Sequence, residues 1–170
     1  MNKKITINFE KQKNIRKKYI NDFSNNDIKI NNYNCKFEID NQTIFINNLY
    51  LNNDFGEKKE LLSHLNNKIN CYKQQDIKKK FNDNSLIKID ELIEKLVTSK
   101  LKCFYCKNKI LLFYLNVREK IQWTLDRIDN NKNHSNQNTI ICCLECNLKR
   151  RTKNKDKFLF TKQLKIIKYN

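Results

Sequence analysis

The stretch WTLDRIDNNKNHSNQNTIICCLECNLKRR, residues 123–151, decides how this chain is read. It opens on an apolar, β-rich run that ends at Leu125. A long polar segment follows, Asp126 to Asn138. A second β-rich run, Thr139 to Cys142, leads into Cys143-Leu-Glu-Cys146 and then a basic segment from Asn147 that reads as the start of a helix. The predicted order is strand, polar loop, strand, helix. Cys143 and Cys146 make a C-x-x-C knuckle, and a matching one, Cys103-Phe-Tyr-Cys106, lies upstream. Thiolates at this spacing bite one ion from a tight turn, and Zn²⁺ prefers four tetrahedral ligands, so the two knuckles predict one zinc site. Cys142 competes with Cys143 for a place in it. The two-residue spacing to Cys146 favours Cys143 and leaves Cys142 as a buried strand end. Four thiolates leave no open coordination position, so such a zinc is structural, not catalytic.

Upstream, Ile110–Leu115 and Ile121–Leu125 are apolar runs flanking Asn116–Lys120, and they predict a β-hairpin. Phe104, Tyr105 and Trp123 read as core residues. Ile89, Leu92, Ile93, Leu96 and Val97 fall on one face of a helix capped at or just before Asp90, and Leu61, Leu62, Leu65, Ile69 and Tyr72 on one face of another. Residues 28–51 read as strands: Phe37 and Ile39 alternate with polar neighbours, Thr43–Ile46 and Leu49–Leu51 are β-rich, and Asp40-Asn41-Gln42 makes a turn. Residues 1–21 are basic and Asn-rich, with a short strand near Ile5–Phe9. After Arg151, Phe158 to Ile167 predict a last element packing back on the core. The expected division is an accessory region, residues 1–85, and a zinc-bound module, residues 86–170. The fold class is α+β. Cys35 and Cys71 lack sequence partners and read as spectators.

The 170 residues carry 35 Lys+Arg against 18 Asp+Glu, a formal charge of +17. One Gly and no Pro in an Asn/Lys/Ile-rich chain point to AT-rich coding, which supplies some of the lysine. Coding bias does not explain where the charge sits. Residues 99–170 hold 17 Lys+Arg and 5 Asp+Glu, against 18 and 13 in residues 1–98. The basic C-terminal part therefore points to a polyanion partner, because cations that neutralise phosphates release counterions. Lys149, Arg150, Arg151 and Lys153 are the candidate phosphate contacts; DNA is the expected partner, RNA the alternative. No membrane-length apolar run and no secretory h-region is seen, so a soluble, intracellular protein is expected.

With these motifs in place, residues 100–152 resemble the core of HNH (His-Me finger) endonucleases, in the zinc-knuckle branch found among large DNA viruses. The resemblance implies a ββα-metal fold gripping one divalent ion and hydrolysing phosphodiester bonds. It implies that Asp126 and Asn147 hold that ion, Mg²⁺ or similar, since carboxylate and amide oxygens suit a hard cation. It implies that Asn138 braces the loop through backbone hydrogen bonds. The family places its general base, a His, directly after the Asp ligand, and this chain has Arg127 there. Arginine stays protonated and cannot take a proton. Three readings follow. His134, or less well Asp129, is the base; the metal alone activates water while Arg127 clamps the phosphate; or the site has decayed and the protein is a non-catalytic zinc-finger nucleic-acid binder.

Overall fold

The computed structural model describes residues 36–81 and 85–164. The expectations for residues 1–21, residues 28–35 (Cys35 among them), Ile166 and Ile167 lie outside those residues. The element order is α1 (Ile39–Tyr50), α2 (Lys58–Lys78), α3 (Ile89–Thr98), β1 (Trp123–Arg127), β2 (Thr139–Cys143), α4 (Leu144–Arg150) and α5 (Lys155–Gln163). The described protein is thus a mixed α and β structure, five helices around a two-stranded sheet.

The strands expected between Phe37 and Leu51 are a correction: this stretch is helix α1, and Asp40-Asn41-Gln42 is its first turn. Its buried residues, Gln42, Ile46 and Leu49, are four and three apart, so a helix brings them to one face, which packs on α3. That packing outweighs the β preference of Thr43, Ile44 and Phe45, a weak, context-dependent term. Gln42 then does what a strand partner would have done. Its Oε1 accepts from the backbone N–H of Leu112 (2.6 Å) and Phe113 (3.1 Å).

The same contact explains a second correction. Ile110–Leu115 does not form a hairpin with Ile121–Leu125. Leu111 makes an isolated parallel bridge to Gln122, and Gln42 bonds the N–H groups of Leu112 and Phe113 and the Phe113 carbonyl. Ile110, Leu112 and Phe113 are buried side chains on an irregular segment.

Helices α2 and α3 follow their expected periods. Leu61, Leu65, Ile69 and Tyr72 are buried along α2, and Leu92, Ile93 and Leu96 along α3. Burying each large aliphatic side chain is worth about 1.5–3 kcal/mol. The Glu91 carboxylate reaches back to accept the Lys88 N–H at 2.8 Å and satisfies one orphan donor at the start of α3.

β1 and β2 pair antiparallel, with Trp123 opposite Cys143 and Asp126 opposite Ile140. α4 starts at once after β2 and ends at Arg151, whose positive φ of 53° turns the chain. The basic run is therefore not one helix. A fresh helix, α5, begins where the Asn154 side chain accepts from Asp156 N and Lys157 N. Phe158 on α5 packs edge-on against Tyr105, ring centroids 4.9 Å apart.

The expected boundary between residues 85 and 86 falls inside one compact unit, residues 37–170. α2 is joined to the later elements by polar bonds as well as apolar packing: the Tyr72 hydroxyl accepts from Leu125 N at 2.9 Å, and Asp76 bonds His134. Among the described residues, no helix is long and apolar enough to cross a membrane.

Candidate functional site

The two knuckles meet. The Sγ atoms of Cys103, Cys106, Cys143 and Cys146 all lie within 4.8 Å of one another, and Cys106 and Cys143 are 3.9 Å apart. Four sulfurs at 2.3 Å around a tetrahedral ion sit about 3.8 Å from each other, so the cluster is of a size to close on a single metal ion such as zinc. The backbone prepares it. Phe104 N–H bonds Ile141 O at 3.0 Å and ties the first knuckle to β2, while Cys146 N–H points at Cys143 Sγ at 3.4 Å. Lys107, at φ 62°, takes the left-handed turn after the first knuckle.

The thiols share protons unevenly. The Cys143 thiol donates to Cys103 and holds its pKa down at about 4, while burial pushes Cys146 up to about 12. A cation at the centre would stabilise the thiolate forms of all four sulfurs and release their protons. Cys142 stays outside the cluster, buried against the Thr124 hydroxyl, and Cys71 is an exposed free thiol.

A cleft of about 320 Å³ has Tyr72, Asp126, Arg127, His134, Asn147 and Arg151 among its lining. Larger hollows lie beside the first knuckle and beside Val117 and Leu148, but neither gathers a comparable set of chemical groups. Within the cleft, the Asn147 amide nitrogen donates to Thr124 Oγ1 (3.1 Å) and Leu125 O (3.2 Å). Its Oδ1 has no hydrogen-bond partner among the described residues, and Asp126 lines the same cleft.

Asp126 is only 4 % exposed. Its Oδ2 accepts from the Tyr105 hydroxyl and its Oδ1 from Arg150 Nη1, both at 2.6 Å. Burial pushes its carboxyl pKa up, against the pull of Tyr105 and Arg150. Arg150 is a correction to the expected phosphate-gripping set. It is 1 % exposed, and besides Asp126 it donates to Arg127 O (2.6 Å) and Ile128 O (2.9 Å). A guanidinium so placed neutralises a buried carboxylate and pins the start of the loop. Lys149 is exposed but paired with Glu145 one helical turn away. Arg151 and Lys153 are exposed.

The polar loop is organised by Asn138. Its Oδ1 accepts from Asp129 N (2.9 Å), and its Nδ2 donates to Asp129 O (3.0 Å) and Asn133 O (2.8 Å). Arg127 lies over the Phe81 ring, donates to Lys132 O, and sits 3.9 Å from the Asp76 carboxylate. Asp129 caps its own turn through Asn131 N and is not aimed into the cleft lining.

No family model matches the chain, and no curated protein or solved structure matches it.

His134 is buried at 3 % exposure. Its Nδ1 lies 2.7 Å from Asp76 Oδ1, and its backbone N–H donates to Asp76 Oδ2 at 2.8 Å. Burial lowers its pKa, outweighing the opposite pull of Asp76. Tyr72 flanks it, ring centroids 4.7 Å apart. Asp76 is the functional candidate that sequence reasoning missed. The signal was there: Leu61, Leu65, Ile69, Tyr72 and Asp76 are one stripe along α2, and a carboxylate continuing an apolar stripe needs a buried partner.

Proposed function

We propose that this protein is a divalent-metal-dependent HNH endonuclease, hydrolysing phosphodiester bonds in DNA, with a structural zinc on its four clustered cysteines. The observation that carries this reading is the one cleft shared by Asp126, Asn147, Arg127 and His134. Such a site needs an oxygen-rich hold for a hard cation, a neutral base and a cation for phosphate, and those types are present together.

The fit to Mg²⁺ rests on donor chemistry. Asn147 offers an amide oxygen with no hydrogen-bond partner among the described residues, and each Asp126 oxygen, having accepted one hydrogen bond, keeps a second lone pair. These two residues would hold the ion. When bound, Mg²⁺ supplies stabilisation of the charge that develops on the leaving 3′ oxygen. The chain's own residues do the rest. Arg127 and Arg151 bind phosphate oxygens. His134 accepts a proton on Nε2 from a water whose oxygen forms a new bond to phosphorus. The bond from phosphorus to the 3′ oxygen breaks, and that oxygen takes up a proton from solvent.

A second reading, a non-catalytic zinc-finger nucleic-acid binder, is favoured by one observation: Asp126 is already neutralised by Arg150 at 2.6 Å. Supercoiled plasmid with Mg²⁺ separates the two. The nuclease reading expects nicking by the wild type and its loss in Asn147→Ala and His134→Ala, both still retarding DNA. Tight binding with no nicking across plasmids bearing varied sequence supports the second reading. Full activity in His134→Ala removes that residue from the mechanism.

A further inference from the structure

The groups around His134 come from three parts of the chain. α2 and its C-cap contribute Tyr72, Asp76 and Lys79, β1 contributes Arg127, and the loop contributes His134 itself. Of these, only Asp76 hydrogen-bonds His134, once at the ring, Oδ1 to Nδ1, and once at the backbone, where Oδ2 accepts from the N–H. The His134 carbonyl is tied as well, accepting from Ile87 N at 2.8 Å. Backbone and ring are thus fixed from both sides, and both Asp76 oxygens are spent on one histidine.

A carboxylate accepts and does not donate, so the nitrogen facing it must carry the proton. We infer that Asp76 is the positioning residue of the site: it holds His134 as the Nδ1–H tautomer and leaves the Nε2 lone pair free to take a proton. This rests on the nuclease reading for its catalytic meaning, and on geometry alone for the tautomer. It also places part of the active machinery on α2, outside the segment that resembles an HNH core. Tyr72 supports the arrangement by packing its ring on the imidazole while its hydroxyl is anchored to Leu125 N.

Asp76→Asn makes the test sharp. An asparagine keeps the acceptor for His134 N–H with its amide oxygen, but presents an NH₂ to Nδ1. The imidazole then moves its proton to Nε2, and the base is blocked without a cavity being left in the core; the carboxylate charge 3.9 Å from Arg127 Nη1 goes with it, and Asp76→Glu controls for that loss. Asp76→Glu keeps a carboxylate and is the control.

The full-length, zinc-loaded protein labelled with ¹⁵N in histidine has two rings to observe, His64 and His134; His64→Gln assigns them. Long-range ¹H–¹⁵N spectra read the tautomer directly. The expected result is Nδ1–H in wild type and Asp76→Glu, and Nε2–H in Asp76→Asn. In plasmid nicking, Asp76→Asn should lose about 10²–10⁴-fold in kcat, the range a positioned general base supplies, with KM nearly unchanged. A wild-type proton on Nε2 overturns the inference, as does an Asp76→Asn protein whose tautomer or kcat equals wild type. If wild type cuts nothing, the nuclease reading falls, and the two spectra still decide whether Asp76 sets the tautomer.

Discussion

Replacing Arg150 with Met tests whether this cation works inside the protein or on DNA. Its side chain is 1 % exposed and its partner Asp126 is 4 % exposed. The substitution keeps most of the aliphatic bulk and removes three charge-assisted contacts, to Asp126 Oδ1, Arg127 O and Ile128 O. Asp126 keeps only Tyr105. Removing one partner of a buried ion pair strands the other charge, at a cost of about 3–5 kcal/mol. Against a typical total of about 5–15 kcal/mol, that leaves a folded but much weakened protein. Urea unfolding followed by far-UV circular dichroism reads the loss. A double-mutant cycle with Asp126→Asn should return a coupling above about 1 kcal/mol, since the two side chains touch. Arg151→Ala, at an exposed position, should lie within about 0.5 kcal/mol of wild type. The reasoning is refuted if Arg150→Met unfolds like wild type and instead lowers the salt dependence of DNA binding.

Further outcomes follow from the same geometry. Purified protein should contain about one Zn per chain by elemental analysis, and Cys146→Ser or a strong chelator should unfold it; a metal-free folded protein refutes the zinc site. Replacing Arg151 and Lys153 with Ala should reduce the slope of log K against log salt by roughly 1.8, about 0.9 per lost phosphate contact; an unchanged slope removes both from the interface. His64 is partly buried, its Nε2 unpartnered among the described residues, and burial with nearby Lys68 brings its pKa down to about 4. An unfolded histidine takes up its proton near 6.5, so between pH 6.5 and 4 the unfolded chain holds more protons and stability falls as pH falls. His64→Gln should flatten that decline in urea titrations at pH 7 and 5, with His134 supplying the part that remains; an unaltered decline refutes the assignment to His64.

The sequence by itself determined those features whose cause is local. C-x-x-C spacing needs only a tight turn to aim two sulfurs together, so the four metal-binding candidates could be named before any fold was known. The apolar stripes of α2 and α3 are periodic within one element, and the β1–loop–β2–α4 order follows from a polar loop between two apolar runs. Tertiary structure decided the rest, because the deciding partner lies far along the chain. Helix α1 looks like strand until Ile46 and Leu49 are seen packed on α3. The segment from Ile110 looks like a hairpin arm until Gln42 supplies its hydrogen bonds from about 70 residues away. Arg150 reads as one more surface cation in a basic run, yet the turn at Arg151 and the burial of Asp126 draw it inside. Asp76 and His134 are 58 residues apart, and only the packing of α2 against the loop makes them one chemical unit.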